Sequence, residues 1–231
     1  MLSKETSQNK LTEEIVESLR LEVEDVSPTE RKGLLELVQK YNEAILEQYA
    51  GYIQEAQQAQ DQTKKFLFIQ DRETFNRFVK EYSLGQTHTD KLLIHGATFK
   101  GDYLGDYIVL SIYNALNLPV SNRFRELGGA NLMQMSFELN VKIIIHELFH
   151  IYCGAENQLF SEAGAVYYTS QILESMGLHN IVLENDDKHT AAFQKLIDNY
   201  GEDVHKLFFG QKIHSVKSKV IYDDLADLLK G

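Results

Sequence analysis

The sequence predicts an α+β protein: a short mixed sheet, a long apolar helix, a mainly helical C-terminal part and a helical extension at the N-terminus. Three observations carry that expectation. Ser27-Pro28-Thr29-Glu30 is a capping box with proline at the first helical position, and an apolar stripe follows it. Short runs rich in β-formers lie at 65–70, 92–99 and 107–113. From about residue 131 the apolar spacing becomes helical and stays so. The change of character falls near residue 62, giving an N-terminal helical region over 1–62 and a second domain over 63–231.

The elements follow in order. Residues 11–24 read as a short helix. After the capping box, Leu34, Val38, Tyr41, Ile45, Tyr49, Tyr52 and Ala56 form one stripe, so the helix is expected to run to about residue 56. A polar break, Gln57 to Thr63, precedes the β-run Lys65 to Gln70, and Asp71 caps a helix through Tyr82. The runs Leu92 to Phe99 and Tyr107 to Tyr113, divided by a glycine-containing turn at 100–105, read as a hairpin. Residues 114–130, with Pro119 and Gly128-Gly129, read as loop before a helix from about Asn131 to Cys153. Helices are expected near 159–176, 188–200, 202–209 and 221–230.

Composition narrows the classes of function. The 231 residues include only two prolines, and 43% are hydrophobic against 25% charged, the balance of an ordered globular chain. A net charge of −11 argues against a nucleic-acid partner, because phosphate binding needs a basic surface. Cys153 is the single cysteine, so no internal disulfide forms. The first ten residues hold no apolar signal-like region, and no run approaches the roughly 18 apolar residues of a membrane span. The chain as it stands reads as cytoplasmic, with secretion left open should a signal peptide have been removed.

The chemistry concentrates in His146-Glu147-Leu148-Phe149-His150. On a helix, positions i and i+4 project from one face about 6 Å apart, so the two imidazoles can offer nitrogen to one tetrahedral Zn2+. Glu147 sits one step round, beside an ion rather than on it, where a carboxylate can take a proton from an activated water. Leu132, Met135, Leu139 and Ile143 continue the stripe toward His146, which places the histidines toward the interior. A catalytic zinc takes a third protein ligand and keeps a fourth position open. Glu162 leads, twelve residues past His150 across a turn at Gly154 to Gln158, with Ala163, Gly164 and Ala165 small enough for two helices to approach. Glu156, six residues past His150, competes for the same role, and Cys153 is a soft donor whose alternative reading is a core thiol.

Several stretches also carry a likeness. Phe66-Leu67-Phe68-Ile69 with the Phe75-bearing helix, Gly96-Ala97-Thr98-Phe99 through Tyr107-Ile108-Val109-Leu110, and Ser161-Glu162-Ala163-Gly164-Ala165-Val166-Tyr167-Tyr168 stand in the same order as elements of a known family. With the pair of helices over Phe193 to Phe208, they resemble the gluzincin branch of the zincin metallopeptidases, the thermolysin- and aminopeptidase-like group. The resemblance implies a zincin-like fold, hydrolysis of a peptide or protein substrate, zinc as cofactor, Glu162 as third ligand and strands flanking a substrate cleft. It also implies a Tyr or His steadying the oxyanion, for which Tyr167, Tyr168, His179 and His189 are candidates. The chain departs from the pattern in three places: no glycine directly follows Glu162, the interval from His150 is short, and Val166 stands where the family has an aspartate. The alternative expectation is a zincin-like scaffold of little or no turnover that binds a peptide or protein partner.

Overall fold

A computed structural model of the chain describes residues 18, 20–82, 96–99, 107–113, 129–178 and 186–230. The expected helix over 11–24 is described only in part, and Arg20 to Val23 are helical. The readings at 83–95, 100–106, 114–128 and His179 lie outside the described residues.

The capping box forms. Ser27 donates to Glu30 Oε2 from its backbone N–H at 3.0 Å and from Oγ at 2.6 Å, and the Glu30 N–H returns to Ser27 Oγ at 3.3 Å. The Ser27 hydroxyl, then its backbone N–H, holds the Glu30 carboxyl below its ordinary range. Helix α1, Pro28–Tyr49, buries Leu34, Val38, Tyr41, Ile45 and Tyr49 along the predicted stripe. It stops about two turns short of the expected end. Gln58 Nε2 donates to the carbonyls of Ala50 (2.9 Å) and Ile53 (2.7 Å), and Gln211 Nε2 to that of Tyr52 (2.9 Å). Carbonyls freed at a helix end need such partners, and here side chains supply them. A single short turn, α2, follows at Glu55–Gln58.

The chain divides into two compact units that interleave along the sequence: Met1–Lys40 with Asp61–Glu147, and Tyr41–Gln60 with Leu148–Gly231. The expected 1–62 region is therefore shared between the two units.

The first unit holds a three-stranded mixed sheet, which with the surrounding helices makes the described chain α+β. Strand β1, Phe66–Ile69, runs into helix α3, Arg72–Tyr82, whose start is capped where Asp71 Oδ2 accepts from the Thr74 N–H at 2.7 Å. Strands β2, Gly96–Phe99, and β3, Tyr107–Ser111, pair antiparallel with Gly96 opposite Leu110. β1 pairs parallel with β3, Phe66 opposite Ile108, so the order is β1-β3-β2. All four β1 residues are fully buried, as a strand covered on both faces requires. The outer edge of β1 is closed by carboxylates. Glu24 Oε1 accepts from the Phe68 N–H at 3.1 Å, and Asp25 accepts from the N–H groups of Gln70 (2.6 Å) and Asp71 (2.8 Å). Burial raises the Glu24 carboxyl above its ordinary value against the opposing pull of Arg31, whose Nε lies 2.9 Å from Glu24 Oε2.

Helix α4, Gly129–Tyr152, carries the motif. It is anchored to the end of β3 by Asn140, which accepts from the Tyr113 N–H at 2.8 Å and donates to the Tyr113 carbonyl at 2.9 Å. A primary amide can meet a strand residue on both backbone groups, so this one side chain fixes the helix at a single register against β3.

The second unit has an aromatic core. It contains helices α5, Gln158–Ser175; α6, Asp186–Tyr200; α7, Glu202–Phe208; and α8, Ser215–Lys230. Tyr49, Phe149, Phe160, Tyr168, Phe193, Phe208 and Phe209 pack ring on ring, with Tyr168 and Phe208 centroids 4.7 Å apart and Tyr49 edge-on to Phe149 at 5.7 Å. Such contacts add about 0.5–1.5 kcal/mol each beyond the area they bury. Two glycines permit this packing. A methyl group on Gly164 would lie 2.3 Å from Phe208 Cδ2, so its smallness admits Phe208 rather than bringing two helix backbones together. Gly154 crosses Gly210 backbone to backbone, where an added Cβ would stand 2.4 Å from the Gly210 Cα. Helix α8 begins six residues earlier than the sequence suggests, because the His214 ring accepts from the Val216 N–H at 3.3 Å and serves as an unusual cap.

Candidate metal centre

His146, Glu147 and His150 lie on one unbroken helix, α4. From Leu139 to Cys153 nearly every position of the chain is buried; His146 and His150 are the half-buried exceptions. The helix thus turns its apolar residues into the core and presents the two imidazoles at a partly open line. Leu132, Leu139 and Ile143 are buried as expected, and the His150 side chain keeps 18% of its surface exposed. Glu147 is 4% exposed.

After Tyr152 the chain leaves the helix, and Asn157 starts α5 by accepting from the Phe160 N–H at 2.9 Å. The N-terminal part of α5 then returns to α4. His150 Nε2 lies 3.3 Å from Glu162 Oε2, and His150 Nδ1 lies 3.1 Å from Ser161 Oγ. One ligand atom from each of His146, His150 and Glu162 falls within 4.8 Å of the other two. Glu156, exposed in the turn, is outside this group, and so is the buried Cys153. Spacing alone leaves Glu156 and Glu162 in competition; the cap at Asn157 separates them by setting where α5 starts, which brings Glu162 to His150.

The donor set suits zinc: two imidazoles and a carboxylate, with a fourth position left for water or substrate. Zinc–ligand distances of about 2.0–2.2 Å imply ligand atoms about 3.3–3.5 Å apart around a tetrahedron. The His150 Nε2 to Glu162 Oε2 separation already has that value. The widest gap closes with side-chain movement of about 1 Å. The Glu162 side chain is 46% exposed against 18% for His150, so the cluster is open on the glutamate side.

Of the residues named for oxyanion binding, Tyr167 and Tyr168 have hydrogen-bond partners of their own. Tyr167 donates to Gln194 Oε1 at 2.9 Å, and the Tyr168 hydroxyl is 2.7 Å from His205 Nδ1. Burial pushes the Tyr168 hydroxyl well above its usual range and the Tyr167 hydroxyl up as well, so both act as neutral packing groups. Ser161 is the site residue that spacing does not single out; its only signal is its place next to Glu162. Comparison with known protein families, with characterised proteins and with solved structures gives no match.

Proposed function

We propose that the protein is a zinc-dependent peptidase with a zincin-like catalytic unit, in which His146, His150 and Glu162 hold the metal and Glu147 is the general base. The observation that carries this reading is the convergence of one ligand atom each from His146, His150 and Glu162 within 4.8 Å, with Glu147 buried on the helix that bears the two histidines. When bound, zinc supplies a Lewis acid that makes hydroxide available near neutral pH.

The chain's own residues do the rest. As the water oxygen attacks the scissile carbonyl carbon, its proton passes to the Glu147 carboxylate. When the C–N bond breaks, Glu147 returns that proton to the departing amine nitrogen, and the base is regenerated. The two glutamates divide the work by environment. Glu147, buried near the C-terminal end of α4, is kept from bulk water, whereas Glu162, half-exposed near the start of α5, is placed against a histidine nitrogen. A peptide pairing its backbone with the sheet would take the β2 edge, because Glu24 and Asp25 already occupy the donors of the β1 edge.

Substituting Glu147→Gln tests the assignment. The amide cannot accept a proton, so hydrolysis of a peptide library should fall by about 10²-fold or more while zinc content stays at the wild-type level. Full activity in this variant would contradict the role.

A further inference from the structure

We infer that Ser161 is a positioning residue for the metal: its hydroxyl holds the His150 ring in the orientation that presents Nε2 to the ion. The inference rests on the peptidase reading above. The geometry is specific. The two nitrogens of one imidazole are engaged by two consecutive residues of α5, Nδ1 by Ser161 Oγ at 3.1 Å and Nε2 by Glu162 Oε2 at 3.3 Å. The ring is therefore gripped at both ends by the same helical turn. Ser161 itself is fixed, its N–H donating to the Asn157 carbonyl at 2.9 Å in the capped start of α5.

The chemistry of a hydroxyl suits this post. Without metal, Nε2–H donates to the Glu162 carboxylate, and Nδ1 accepts from the Ser161 O–H. With metal, Nε2 gives its lone pair to the ion, the proton resides on Nδ1, and that N–H donates to Ser161 Oγ. Serine is donor and acceptor at once, so one side chain serves both tautomers. A carboxylate, acceptor only, would serve the loaded tautomer alone. Partners of this kind fix the tautomer of a ligating histidine, and their removal commonly weakens metal binding 10–100-fold.

The test is competition between the full-length protein and a chromophoric chelator for zinc alone, on wild type, Ser161→Ala and Ser161→Thr, with thermal unfolding of each metal-free protein measured alongside. Ser161→Ala should bind zinc about 10–100-fold more weakly with little change in metal-free stability, and Ser161→Thr, which keeps the hydroxyl, should restore most of the affinity. Cobalt substitution adds a spectroscopic check, since a loosened His150 alters the visible bands in the alanine variant and not in the threonine variant. Zinc affinity in Ser161→Ala equal to wild type overturns the positioning role and leaves the peptidase reading standing. A Ser161→Thr variant as weak as Ser161→Ala also overturns it. Wild type that takes no zinc overturns both.

Discussion

The two compact units reach a defined structure by different means. In the sheet unit, order comes from polar side chains that satisfy specific backbone groups: Glu24 and Asp25 on the β1 edge, and Asn140 on both groups of Tyr113. In the second unit, order comes from interlocked rings and from glycines that let Phe208 and the 209–210 backbone come close. Hydrogen bonds fix direction and register, whereas close-packed rings resist any change of volume.

That contrast can be broken at single positions. The largest loss is expected from Gly154→Ala, which drives a Cβ to 2.4 Å from the Gly210 Cα and 2.9 Å from its nitrogen, with no flexible side chain able to yield. We expect about 3 kcal/mol or more, read as a fall in Tm of about 6–12 °C. Next is Asn140→Ala, which leaves the Tyr113 N–H and carbonyl without their side-chain partner in a buried place; denaturant unfolding should show about 2–3 kcal/mol. The smallest is Ser27→Ala, which removes the capping box at an exposed helix start and should cost about 1 kcal/mol. Should Gly154→Ala be mild and Ser27→Ala severe, the division into packing-limited and clamp-limited regions would be wrong.

Much of the fold was legible because its signals are local. The capping box at Ser27, the Asp71 cap, the buried run Phe66–Ile69 and the i, i+4 histidines are each written within a few residues. What the sequence did not disclose depends partly on distant partners and partly on local caps of unusual type. The end of α1 is set by Gln58 and by Gln211, the latter about 160 positions away in the chain. The start of α8 depends on a histidine acting as a cap, for which propensity gives no warning. Gly164 was read as easing the approach of two helices, but the atom that needs its space belongs to Phe208. At the site, the histidines and Glu147 follow from helical spacing, and Glu162 was named from the turn length. Ser161 stayed hidden because its contact arises only once the 153–157 turn has taken its shape.

The cluster of His146, His150 and Glu162 is proposed to hold zinc. The direct measurement is metal content by inductively coupled plasma mass spectrometry, after zinc supply and dialysis, on wild type beside His146→Ala and Glu162→Ala. About one zinc per chain in wild type, lost in both variants, is the predicted result. Wild type that retains no zinc would contradict the claim, and retention in Glu162→Ala alone would remove that residue from the ligand set.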